Sequence, residues 1–160
     1  AARILGLGYP GGLAIAACAK KYIGGTYVFL PRPMMYTKDY DFSFSGLKTA
    51  VLYRVKEGNY DKIEMCHEIQ QSIIDVLIHK TIKAAKDFKA KSIILGGGVS
   101  ANEELRKQFK ERIQREIPDT KYHIPDTRLC TDNAAMVAVT AYFHRTKRVK
   151  NIEADANLRI

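Results

Sequence analysis

The hydrophobic pattern divides the chain into helical and extended stretches. Ile63, Cys66, Ile69, Ile73, Leu77 and Ile82 recur at roughly helical intervals and predict a long helix over about 61–88 with these residues on its inner face. Leu105, Phe109 and Ile113 repeat every fourth position and predict an amphipathic helix over 101–116, ended near Pro118. An Ala-rich run predicts a short helix over 13–22, stopped by Gly24-Gly25, and another helix follows Gly46 over 47–55. Tyr40, Phe42 and Phe44 alternate with Asp41, Ser43 and Ser45, the pattern of a half-buried strand. Apolar Ser92–Leu95 and the segment 121–124 read as short strands, and Pro31-Arg32-Pro33 marks a loop. A final helix is expected from about Asp132 with Thr131 as its cap. Its alanines 134, 135, 138 and 141 suit the close approach of a neighbour. From Val149 the tail is polar, and there is no internal repeat. Strands alternating with helices predict a layered α/β domain whose ligand lies at the strand C-terminal ends.

The turn Leu95-Gly96-Gly97-Gly98-Val99-Ser100-Ala101-Asn102-Glu103 stands between a predicted strand and a predicted helix. Glycines let a backbone approach a ligand where a Cβ would collide. Ser100 and Glu103 fit a capping box, which would start the helix at Ser100, and free N–H groups at a helix start favour a phosphate. The same residues also suit a tight βα turn that binds nothing.

With 160 residues the chain has enough length for one buried core or one lobe of a larger protein. Its 46% hydrophobic and 27% charged residues place it among ordinary globular domains rather than disordered or membrane-embedded chains. The net charge of +9 suits a polyanion such as a nucleic acid, or describes a generally lysine-rich surface; a mild basic cluster runs from Arg145 to Lys150. Cys18, Cys66 and Cys130 lie far apart without a disulfide framework, which points to reduced thiols in the cytoplasm. No signal peptide or membrane-spanning apolar run is seen, and the four histidines lack metal-ligand spacing. The chain opens at Ala1, without Met, in what reads as the tail of an element, so a piece of a longer protein is expected.

Five segments carry a resemblance. They are Gly6-Leu7-Gly8-Tyr9-Pro10-Gly11-Gly12; Phe29-Leu30-Pro31-Arg32-Pro33-Met34; Tyr40-Asp41-Phe42-Ser43-Phe44-Ser45-Gly46-Leu47-Lys48-Thr49-Ala50-Val51; Gly97-Gly98-Val99-Ser100-Ala101-Asn102; and Cys130-Thr131-Asp132-Asn133-Ala134-Ala135-Met136. In this order and spacing the chain resembles the bacterial TsaD family, formerly described as O-sialoglycoprotein endopeptidases, and the likeness covers nearly its whole length. The resemblance implies an actin-, Hsp70- and sugar-kinase-like α/β fold, of which residues 1–160 would be a single C-terminal lobe, a layered sheet flanked by helices, with a polar tail at 149–160. It implies transfer of a threonylcarbamoyl group from threonylcarbamoyl-adenylate to N6 of the tRNA adenosine beside the anticodon. TsaB-like and TsaE-like proteins are the implied partners. The family's His-x-x-x-His motif belongs to the N-terminal lobe and does not occur in this sequence.

Residue by residue, Asp132 matches the family's carboxylate ligand of an iron or zinc ion, a role that the resemblance implies; the residues alone favour a charge that suits the dipole of the first helical turn. Asn102 matches a residue that contacts the adenylate, and its amide can both donate and accept. Gly12 matches a substrate-binding glycine, while Gly97 and Gly98 are expected to line the same pocket, with ATP or threonylcarbamoyl-adenylate as ligand. Lys48 suits either a phosphate or a solvated helix start, and the Tyr40–Phe42–Phe44 set reads as core rather than as a base-stacking platform. Leu13 and Gly8 depart from the residues frequent in relatives, at positions outside these sites. There is no Ser-His-Asp or Cys-His constellation. None is required: a mixed anhydride is already activated, and positioning with carbonyl polarisation would suffice. The alternatives are a non-catalytic nucleotide-binding or interaction module and a sugar-kinase or ATPase relative, although no sugar-binding or catalytic-base aspartate is identifiable.

Overall fold

The computed structural model describes residues 1–25 and 28–146. Along the chain run α1 (Gly11–Ala19), α2 (Ser45–Glu57), α3 (Lys62–Asp87), β1 (Ser92–Ile94), a 3-10 turn at Gly98–Ala101, α4 (Glu103–Glu116), β2 (Lys121–His123), a 3-10 turn at Thr127–Leu129 and α5 (Ala134–Phe143). The predicted tail and most of the basic cluster, from Lys147 onward, lie outside the described residues.

Helix α3 is the centre of the molecule. Asp61 starts it by accepting from the Glu64 amide at 2.8 Å. From residue 63 to residue 85 no side chain is exposed, so this helix is covered on all sides rather than along the single predicted stripe. Its N-terminal half contributes Met65, Cys66 and Ile69 to a core with Leu5, Val28, Leu30, Leu47 and Val51. Its C-terminal half contributes Ile74, Ile78 and Ile82 to a second cluster with Ile93, Leu105, Phe109 and Ile113. Ile63, Ile73 and Leu77, predicted on the inner face, are half-buried.

The remaining face of α3 carries buried polar residues, and the segment from Val28 to Asp41 satisfies them. Glu64 and Glu68 accept from the backbone amides of Val28 and Leu30 at 2.7 and 3.0 Å. Arg32 donates to Glu68 and, at 3.0 Å, to Asp75. The fully buried Lys80 ammonium donates to Thr37 and Asp39, both at 2.8 Å, and to the Asp41 carbonyl.

These contacts replace the strand predicted over 40–45. Residues 40–44 form no strand, because the Asp41 carbonyl is taken by Lys80 and the aromatic rings turn to α3. Tyr40 donates its hydroxyl to Asp87 at 2.9 Å and lies over Lys83; Phe42 lies over Lys80. Only Phe44 of this set packs against a core cluster, and Tyr40 and Phe42 stay substantially exposed.

The Lys80 ammonium, together with the Thr37 hydroxyl, holds the Asp39 carboxyl down to about 2. The folded value lies below the unfolded value of about 3.9. Its contribution to stability is therefore complete above about pH 4 and is lost as pH falls toward 2. Thermal midpoints recorded across this range should fall less steeply in Asp39→Asn than in the wild type; parallel curves would remove Asp39 from the acid response.

Strands β1 and β2 pair in parallel, with Ser92 opposite Lys121, Ile93 opposite Tyr122 and Ile94 opposite His123. The crossover is α4, which packs Leu105, Phe109 and Ile113 inward. The α/β class is therefore as expected, with a sheet of two strands among the described residues. Helix α5 begins at Ala134, later than predicted. Asn133, not Thr131, caps it, because the Asn133 side-chain oxygen accepts from the Met136 amide at 2.9 Å. No residue of α5 is buried, so its alanines meet no close neighbour among the described residues.

Candidate functional site

The glycine turn leaves β1 and enters the 3-10 turn with Gly97 at φ +80°, a left-handed conformation that glycine adopts without strain. Ser100 does not cap α4 as the capping-box spacing predicts. Its hydroxyl donates to the Gly97 carbonyl at 2.6 Å, inside the turn. Asn102 is the cap instead: its Oδ1 accepts from the Leu105 amide at 2.9 Å, so α4 starts at Glu103. The other end of the same amide donates to Gln70 at 2.8 Å. One amide hydrogen and one lone pair on Asn102 remain for a ligand.

Asn102 faces a cavity of about 540 Å³ enclosed by α1, α3 and the start of α4, with Lys20, Tyr22, His67, Gln70 and Glu103 on its walls. Tyr22 and His67 stack at 4.1 Å with an interplanar angle of 17°. Lys20 and Glu103 pair across the rim at 2.7 Å, and this cation lowers the Glu103 pKa. Ala16 and Ala19 supply the α1 wall. Gly12 lies one helical turn before Ala16 and so extends the same face of α1. A Cβ at Gly12 would meet nothing within 4 Å, whereas one at Gly11 would strike Ala2 at 2.8 Å. Within this fold, packing requires glycine at Gly11 and leaves Gly12 open. A second cavity, about 310 Å³ between Phe29 and α2, holds none of the predicted residues.

Gly97, Gly98 and Asp132 lie outside the cavity wall. A Cβ on Gly98 would stand 3.9 Å from Thr131 Cγ2, so the glycine turn borders the segment that leads to Asp132. Asp132 is exposed and makes no hydrogen bond or ion pair with another described residue. Among the described residues no group of three or more His, Cys, Asp or Glu side chains is arranged to hold a metal ion. The described donor set is thus one open carboxylate, which does not itself make a metal centre. Lys48 is exposed on α2. Cys66 is fully buried, and burial followed by its contact with Cys18 pushes its thiol up to about 12, which keeps it protonated. Cys130 is also buried, so neither thiol is placed as a nucleophile. The sequence reading did not single out Gln70, which holds Asn102, or Arg106, one turn further along α4.

The family profile described as TsaD: tRNA N6-adenosine threonylcarbamoyltransferase matches residues 1–139. The chain belongs to the TsaD family. A relative from Thermosipho africanus named tRNA N6-adenosine threonylcarbamoyltransferase is 44% identical over 165 residues, covering 99% of this chain and 49% of its own length. Proteins of the same name from Persephonella marina and Lactobacillus johnsonii are 47% and 41% identical, covering 88% and 99% of this chain and 41% and 48% of theirs. The chain spans about half the length of the curated relatives it matches. The TsaD match takes in Gly12, the glycine turn, Asn102 and Asp132 together. No helix among the described residues is long and apolar enough to cross a membrane.

Proposed function

We propose that this chain is the C-terminal part of a tRNA N6-adenosine threonylcarbamoyltransferase, with an actin-, Hsp70- and sugar-kinase-like lobe as its fold. The observation that carries this reading is the TsaD match over residues 1–139, which includes both the Asn102 and the Asp132 motifs. In the reaction, N6 of the adenosine beside the anticodon attacks the carbamoyl carbonyl of threonylcarbamoyl-adenylate. The new N–C bond replaces the C–O bond from that carbon to the bridging phosphate oxygen, AMP leaves with that oxygen, and the N6 proton passes to solvent. The cavity beside Asn102 supports an adenylate ligand: the Tyr22–His67 stack offers an aromatic face, and Asn102 and Gln70 offer amides suited to a base or ribose. Gly12 continues that wall without a side chain, and Gly97 and Gly98 belong to the turn that leads into Asn102.

Asp132 is assigned as one ligand of an iron or zinc ion that would polarise the acyl carbonyl when bound, with its other donors supplied from outside the described residues. The positive charge of the chain suits tRNA. TsaB-like and TsaE-like proteins are the proposed partners, and the cytoplasm the proposed compartment, in keeping with three free cysteines.

The test is the native full-length protein with these partners, an unmodified tRNA and threonylcarbamoyl-adenylate, read by mass spectrometry of the released nucleosides. Appearance of threonylcarbamoyladenosine is expected. Adenylate binding without transfer would replace the enzyme by a nucleotide-binding module. Within the same reading, Asn102→Ala should weaken adenylate binding by about 1–3 kcal/mol in calorimetry. Its lost cap should separately cost about 0.5–2 kcal/mol of stability. Asn102→Asp keeps the cap and removes the donor, so it should lose affinity with less loss of stability; unchanged affinity in both variants would take Asn102 out of the site.

A further inference from the structure

The two motif segments of the candidate site are joined by side chains. Among the described residues no backbone hydrogen bond links residues 96–102 to residues 125–133; the nearest is Leu95 N to the His123 carbonyl, at the end of the strands. The link is a cluster around the half-buried Arg106 on α4. Its Nε donates to the Ser100 carbonyl in the glycine turn. Its Nη2 donates to the Pro125 carbonyl at 2.8 Å and to Cys130 Sγ at 3.1 Å. Ser100 Oγ also stands 3.1 Å from Cys130 Sγ, and Cys130 reaches back to the Asp126 carbonyl at 3.4 Å. Ser100 and Cys130 are 1% and 4% exposed, while Asp132, two residues beyond Cys130, makes no hydrogen bond or ion pair with another described residue.

We infer that Arg106 is a positioning residue that sets the Asp132 segment against the glycine turn and Asn102, and so aligns the acyl-polarising side of the site with the adenylate side. A guanidinium suits this task because its planar fork of donors spans acceptors on two segments at once. A lysine ammonium on a flexible stem does not reproduce that fork. Arg106 forms no ion pair within 4.0 Å among the described residues; its hydrogen-bond acceptors are carbonyls and a thiol, and the Asp126 carboxylate feels its charge from further away.

The inference rests on the transferase reading for its kinetic arm only. In the native full-length protein, Arg106→Lys should speed amide hydrogen exchange across residues 127–133 by about tenfold or more while α3 stays protected. It should also lower kcat by about tenfold or more with KM for the adenylate moved by less than about threefold, since misplacement acts on the reacting geometry rather than on ground-state binding. Cys130→Ala, which removes only the shared acceptor, should loosen the same segment to a smaller extent and serves if Arg106→Lys does not fold. Unchanged exchange in both variants overturns the brace. Faster exchange with wild-type kcat overturns the positioning role. A wild-type protein that transfers nothing overturns the transferase reading instead, and the exchange measurement still decides whether Arg106 braces the two segments.

Discussion

Asp132→Ala in the native full-length protein is expected to abolish threonylcarbamoyl transfer and to leave the fold intact. The two halves of this expectation have separate grounds. Asp132 is exposed, lies before the Asn133 cap of α5 and makes no hydrogen bond or ion pair with another described residue, so its removal breaks no polar contact among them. Surface substitutions of this kind change stability by no more than about 0.5 kcal/mol. A carboxylate that ligates a metal is not replaceable by a methyl group. Even partners one shell further out typically cost 10–100-fold, so loss of the ligand should exceed about a hundredfold. The measurement is single-turnover modification of tRNA beside an unfolding midpoint for both proteins. An alanine variant that modifies tRNA at the wild-type rate would end the metal assignment, and a variant that loses its fold would show that Asp132 has a structural partner outside the described residues.

Arg32→Leu should have the largest effect on stability. Arg32 sits between Glu68, whose side chain is only 5% exposed, and Asp75, and it also donates to the Leu30 carbonyl at 2.8 Å. Its pKa is raised: burial alone would lower it, but the hydrogen bonds and charges of Glu68 and Asp75 outweigh that penalty. Removing the guanidinium leaves the Glu68 carboxylate buried without its cation, a change that typically costs about 3–5 kcal/mol. Arg32→Lys should recover only part of this, because one ammonium cannot span both carboxylates and a carbonyl. Chemical denaturation of the three proteins decides the matter. A leucine variant within about 1 kcal/mol of wild type would mean that water reaches Glu68 and screens it, as at a surface ion pair.

Local pattern made much of the fold legible. The four-residue repeat of Leu105, Phe109 and Ile113 placed α4 and its buried face, and Asp61 with the following apolar repeat placed α3. Period failed where polar side chains decide the structure. The alternation at 40–45 has the signature of a strand, yet among the described residues no partner strand comes to it and Lys80, some forty residues away, takes its backbone. Nothing local to Glu64, Glu68 or Lys80 distinguishes them from solvated charges. Their burial depends on the distant segment that folds over them. The capping box at Ser100 was a reasonable local choice, but Asn102 offered a competing cap two residues later, and the 3-10 turn left Ser100 facing Cys130. For the site, residue types and spacing supplied the family and set Gly12 of α1 beside Asn102, while the α3 wall with His67 and Gln70 belongs to no motif.

The way Glu64 and Glu68 hold the Val28–Leu30 segment lets a helix stand in for a neighbouring strand. Val28 and Leu30 are 1% exposed and Phe29 between them is 81% exposed, so the segment alternates like a strand at the border of a sheet. Such a border, with free amides and an outward aromatic ring, is a template on which a foreign strand can add. Here the inward amides are already occupied by carboxylates from a helix, and a carboxylate offers no strand for further growth. The segment thus has its two inward amides satisfied by helix-borne carboxylates in place of the carbonyls of a neighbouring strand.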